Sequence, residues 1–172
     1  MNDEKKFAER VKQLRITVSL TQQQLGEAVG LSKQAINDIE QGRKQTRIDK
    51  AIAIARLFNT TVDYLVGDTD NPVRPSEVPF VEHLFAYDEG ILLSRRIKPI
   101  REKLGVSHQD VGKETLMGTR RYRRIETADD SPSIFELKKL CNYFNISADY
   151  LLGLTDEPRP LREENISSDQ KQ

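Results

Sequence analysis

The sequence predicts an all-α protein made of two tandem five-helix domains joined by a partly helical linker. Three observations predict it. Shifting the chain by about 86 residues lays its first part on its second without a gap: Arg10 on Arg96, Arg15 on Arg101, Gly26 on Gly112, Ile39-Glu40 on Ile125-Glu126, Phe58-Asn59 on Phe144-Asn145, and Asp63-Tyr64-Leu65 on Asp149-Tyr150-Leu151. Apolar residues recur at helical spacing in both copies. Leu20 to Glu40 reads as two short helices whose connection, about three residues, forces a sharp crossing. The resulting boundaries are 1–70 for domain 1, 71–92 for an acidic linker, 93–156 for domain 2, and 157–172 for a polar tail expected to be disordered.

Each domain opens on an amphipathic helix carrying Phe7, Val11 and Leu14, or Leu93, Ile97 and Ile100. Thr21 and Gln24 then have the spacing of a capping box, so a second helix starts with two of its end N–H groups satisfied. Gly30 ends it, because glycine enters the left-handed conformation without a Cβ clash, and Ser32 caps a third helix. Leu25, Val29, Leu31, Ile36 and Ile39 face one another across the crossing, which leaves Lys33, Gln34 and Asn37 on the outer face. Side chains of this kind at the start of a helix can enter a major groove, where Gln and Asn bond adenine and Lys bonds guanine.

A polar loop follows, Gln41 to Thr46 or Thr127 to Pro132. The fourth helix carries Ile48, Ala51, Ile54, Ala55 and Phe58, or Ile134, Leu137, Leu140, Cys141 and Phe144. Thr61 and Ser147 cap a short fifth helix with Asp63 and Asp149 favourably placed in its first turn. Tyr64, Leu65, Tyr150 and Leu151 fold back on the core. In the linker, turn-formers give way from Phe80 to a helical pattern of Phe80, Leu84, Tyr87 and Ile91, whose apolar face either docks on its own chain or forms a homodimer contact.

The second copy diverges at its turn. Leu116 stands where Gly30 does, a residue that resists the left-handed conformation, and Gly118 lies two residues on, so the turn is either rebuilt around Gly118 or the motif is degenerate. Its third helix reads Thr119-Arg120-Arg121-Tyr122-Arg123-Arg124, with Tyr122 and Ile125 inward and four arginines outward. Those arginines either pair with Glu126, Asp129 and Asp130 or receive an anion.

Charge supports a nucleic-acid partner once it is read locally. The 27 basic and 27 acidic residues cancel, but residues 1–67 hold 11 positive and 8 negative groups, residues 93–156 hold 12 and 9, and the segment between holds 1 and 6. No apolar run approaches the ~20 residues that span a bilayer, and no signal-peptide apolar region follows Met1, so a cytoplasmic protein is expected. Cys141 is the single cysteine and matches the core position Ala55, as a buried inert thiol would. No Gly-rich phosphate loop, cysteine–histidine metal spacing or nucleophile elbow is present, so neither enzyme activity nor a metal or cofactor is expected.

The stretch from Phe7 to Asp70 resembles the phage-repressor-like (Cro/XRE) helix-turn-helix family. Thr21-Gln22, Leu25, Gly30-Leu31-Ser32, Ile36, Ile39-Glu40, Leu57-Phe58-Asn59 and Asp63-Tyr64-Leu65-Val66-Gly67 carry the match. The resemblance implies lambda-repressor-like domains that bind double-stranded DNA, and a sequence-specific transcriptional regulator, a repressor, whose residues 32–40 enter the major groove. It implies that Gln22 grips the DNA backbone and braces the first base-reading side chain, with Arg43 and Lys44 near phosphates. In domain 2 the matching positions are His108, Thr119, Arg120, Arg123 and Arg124. A flexible linker of this length spans ~25–30 Å, enough to lay both domains on one duplex. The neutral total charge and altered second turn suit another reading, in which domain 2 binds a partner protein as an antitoxin or anti-repressor does.

Overall fold

The computed structural model describes residues 3–72 and 89–158. Five helices, α1 (Asp3–Thr17), α2 (Gln22–Val29), α3 (Lys33–Glu40), α4 (Ile48–Leu57) and α5 (Val62–Val66), are followed by five equivalents: α6 (Glu89–Lys103), α7 (His108–Glu114), α8 (Thr119–Glu126), α9 (Ile134–Phe144) and α10 (Ala148–Leu151). No helix among them is long and apolar enough to cross a membrane. Phe80, Leu84 and Tyr87, expected on a linker helix, lie outside the described residues, as does the tail from residue 159 onward. Ile91 belongs instead to α6, which begins four residues before the expected start of domain 2.

Each repeat folds for the reasons its sequence announces. Apolar stripes of the first, third and fourth helices converge, burying Phe7, Val11, Ile36, Ile39, Ile48 and Ile54 in one copy and Leu93, Ile97, Tyr122, Ile125, Ile134 and Leu140 in the other. Arg10 closes domain 1 by lying 4.1 Å over the Tyr64 ring while donating to the carbonyls of Tyr64 and Thr69 and to Asp70. Arg96 repeats every one of these contacts with Tyr150, Thr155 and Asp156. Cys141 is buried, and burial pushes its thiol well above the ordinary range, consistent with an inert core residue.

The two repeats are packed together and not merely tethered. Their apolar cores are continuous, and α4 and α5 rest on α9 and α10. Arg47 and Ser133, equivalent positions, pair in an antiparallel bridge, and the Ile134 N–H donates to the Thr46 carbonyl at 2.9 Å. Asp63 and Asp149, also equivalent, exchange helix ends. The N–H groups of Val62 and Asp63 donate to the Asp149 carboxylate at 3.1 and 3.3 Å, and the N–H of Ala148 donates to Asp63 Oδ1 at 2.6 Å. Each carboxylate thus serves the first turn of the other repeat's last helix. Lys138 of α9 reaches across to the Val66 carbonyl and lies 3.4 Å from Asp68, and Phe7 meets the edge of Phe135 at 6.2 Å between ring centres.

Candidate nucleic-acid interface

The first motif is built from local rules. Thr21 accepts from the N–H of Gln24, whose side chain returns to the Thr21 N–H, completing the box that starts α2. Gly30 ends α2 at φ 67°, and the Ser32 hydroxyl accepts from the Ala35 N–H at 3.1 Å to start α3. The crossing is so close that a Cβ on Gly26 would lie 2.5 Å from the Leu31 carbonyl oxygen. Lys50 of α4 donates to the Val29 carbonyl at 3.1 Å and ties the turn to the core.

Behind α3 and α8 alike sits a buried ion pair. Arg15 Nε and Nη2 grip Glu40 at 2.5 and 3.0 Å, Arg15 Nη1 donates to the Leu20 carbonyl, and the Gln22 amide donates to Glu40 Oε2 at 2.8 Å. The hydrogen bond to Glu40 raises Arg15 above its ordinary pKa. The second copy keeps the pair and encloses it further. Arg101 holds Glu126 at 2.6 and 3.3 Å, His108 Nε2 abuts one of the same carboxylate oxygens, and the Tyr122 hydroxyl donates to the carboxylate at 3.0 Å. Burial disfavours charge on Glu126, but bonds from Arg101, His108 and Tyr122 outweigh it and hold the carboxyl below its usual range.

The second turn resolves the alternatives its sequence leaves open. Leu116 does adopt the left-handed conformation, at φ 57°, and Gly118 follows at φ 82° as the residue before α8. The crossing survives, with Gly112 packed so that a Cβ there would lie 2.5 Å from Thr119 N. What is lost is the cap, since Gly118 has no side chain to replace the Ser32 hydroxyl.

The helix-turn-helix family model matches residues 11–65 and again residues 97–151. The chain belongs to the Cro/XRE-type helix-turn-helix family. It is 34% identical over 103 residues to a protein named as the uncharacterized HTH-type transcriptional regulator YobD of Bacillus subtilis (strain 168), covering 57% of this chain and 92% of that one. It is 33% identical over 61 residues to the HTH-type transcriptional regulator ImmR of the same strain, covering 36% of this chain and 48%, about half, of ImmR. No solved structure matches it significantly.

On this helix-turn-helix frame the expected site residues divide into two groups. Lys33, Gln34 and Asn37 share the open side of α3, and Lys33 and Asn37 have no side-chain hydrogen bond or ion pair among the described residues. Gln34 donates to Asp38 at 3.0 Å, and Arg43 reaches back to the same oxygen at 2.8 Å. The bond from Arg43 first, and that from Gln34 after it, hold the Asp38 carboxyl below its usual range. Lys44 is exposed beside them. On α8, Arg120 and Arg123 are exposed, while Arg124 lies 3.5 Å from Asp130. Thr119, half-buried, starts that helix. Ser32 is occupied as a cap, and Gln22 and His108 are turned toward the buried glutamates.

Sequence reasoning missed the buried ion pairs and the Glu136 partner of Arg121. Arg121, counted among four outward arginines, bonds Glu136 at 2.8 and 2.9 Å and Asp130 at 2.6 Å, so three remain outward. Glu126, expected as a partner of the outer arginines, is held instead by Arg101, and Glu40 is held by Arg15, neither of which the sequence reading pairs with it. The signal that could have found them is that Arg15/Glu40 recurs as Arg101/Glu126 while the outer faces around them change completely.

Proposed function

We propose that this protein is a sequence-specific transcription repressor that inserts α3 into the major groove, with Lys33, Gln34 and Asn37 reading base edges. The observation that carries it is that exposed Lys33 and Gln34 and half-buried Asn37 share one face of a helix whose start, crossing and inner face are all fixed by buried contacts. Gln34 exchanges its bond to Asp38 for one to adenine, and Arg43, leaving the same carboxylate, reaches a phosphate. Arg120, Arg123 and Arg124 serve mainly as phosphate donors, aided by the uncapped N–H groups at the start of α8. Occupying the groove excludes other proteins from the same DNA, which is the simplest route to repression.

Binding to a duplex pool at two salt concentrations tests this, because log K falls with log salt at about −0.9 per phosphate contacted. Asn37→Ala should cost about 1–3 kcal/mol on enriched sites and little on random duplex, while Arg123→Ala should weaken both equally and flatten the salt slope by about one. A chain with no salt-dependent affinity for duplex refutes the reading. One observation favours a protein partner for domain 2: Leu116, at the tip of its turn, is 84% exposed.

A further inference from the structure

The packing of the two repeats fixes more than their stability. Arg47 pairs with Ser133 and Asp63 with Asp149, so each repeat presents the same surface to the other. A contact in which equivalent positions meet is related by a two-fold rotation, whereas a head-to-tail contact between unlike surfaces is not. On a duplex, recognition helices related by a two-fold meet inverted half-sites, and helices related by translation meet direct repeats.

The paired segments also come directly after the recognition helices. Arg47 lies seven residues beyond the end of α3 at Glu40, and Ser133 lies seven beyond the end of α8 at Glu126. Half of the ~34 Å between successive major grooves on one face is ~17 Å, and the seven residues from Glu40 to Arg47 can span up to ~24 Å. Each recognition helix can therefore stand one half-spacing from the axis. Their outer faces are unlike: Lys33, Gln34 and Asn37 correspond to Thr119, Arg120 and Arg123. Amides pair with adenine and arginine pairs with guanine.

Resting on the reading of α3 as a DNA-reading helix, we infer that a single chain, without a second copy, occupies an inverted pair of unlike half-sites about one helical turn apart. The half-site under α3 contains adenine; the one under α8, met mainly through phosphate contacts, is only weakly specified. The surface by which equivalent domains associate is already used inside the chain, so no second copy is needed to complete the pair.

The test compares the full chain with Thr119→Lys/Arg120→Gln/Arg123→Asn, which copies the outer face of α3 onto α8. Both are used to enrich sites from a random-sequence duplex pool spanning three helical turns. The graft should convert the enriched site into a palindrome, two copies of the α3 block in opposite directions. Two copies in the same direction overturn the inference, as does a single unchanged block. Should the graft fail to fold, hydroxyl-radical footprinting of the unaltered chain on its own enriched site decides: one chain per duplex protecting two successive major grooves upholds it, and protection of one groove, or two chains per duplex, overturns it. Failure of the unaltered chain to enrich any site is a different outcome, which removes the DNA-reading assignment of α3 itself.

Discussion

Replacing Asp63 with asparagine probes the junction between the repeats through its dependence on pH. Asp63 and Asp149 face each other across the pseudo-two-fold with Asp68, its partner Lys138 and the neutral thiol of Cys141 close by. Burial first, then the charge of Asp149 and a hydrogen bond shared with it, push the Asp63 carboxyl up to about 8 from 3.8. The folded protein therefore holds a proton that the unfolded chain has released. Between these two values the native state binds more protons than the unfolded state, so stability falls as pH rises and levels off above about 8. At ~1.4 kcal/mol per pH unit the interval sets a ceiling of ~6 kcal/mol. The amide introduced by Asp63→Asn can still accept from the Ala148 N–H and offers its own hydrogens to the Asp149 carboxyl, with nothing to titrate at position 63. Urea unfolding of both proteins at pH 5.5 and pH 9 should show a loss of a few kcal/mol in the original and under ~1 kcal/mol in Asp63→Asn. An original protein that is equally stable at both values, or a variant with the same pH slope, refutes the shared proton.

Glu40→Gln should cost about 3 kcal/mol in urea unfolding, since it breaks a buried pair and leaves Arg15 facing a neutral amide, whereas Asp38→Asn, at the more open pair with Arg43, should cost far less. Gly112→Ala should destabilise domain 2 by about 2–3 kcal/mol, because the added Cβ meets backbone at 2.5 and 2.7 Å, and thermal unfolding will register it. Leu116→Gly should instead stabilise the protein by about 0.5–1 kcal/mol, the left-handed penalty of ~1–2 less the entropy of a glycine, with duplex affinity unchanged. A loss of stability on that substitution would mean that the exposed leucine packs against something.

What could be read in the sequence was whatever depends on neighbours along the chain. The box of Thr21 and Gln24, the left-handed Gly30, the Ser32 cap and the helical stripes are short-range features, and all form as their spacing predicts. The internal repeat exposed the architecture because two matching registers are more informative than one. Long-range polar partners were invisible. Asp63 reads as a first-turn acid complementing its own helix dipole, and only the fold brings it to Ala148 in the other repeat. His108 reads as a phosphate ligand because Gln22 stands in its place, but a ring beside a buried carboxylate twenty-five residues from its arginine partner leaves no periodic trace. The closeness of the two repeats was misjudged for the same reason: length and composition of a linker give its reach, not what the bodies at its ends do on meeting.

The internal axis also changes how the molecule answers to dose and to mutation. Where two separate chains must meet, the active species grows with the square of their concentration, and dilution drains it. With both halves on one polypeptide, a single chain that suffices, as inferred above, makes the active species rise in simple proportion to the number of copies made. A substitution in a self-pairing chain is felt twice, once in each half, and both halves must tolerate it. In this chain it is felt once. Domain 1 carries glycine at residue 30 and a serine cap at residue 32 while domain 2 carries Leu116 and Gly118 at the same places, a difference that two identical subunits could not hold.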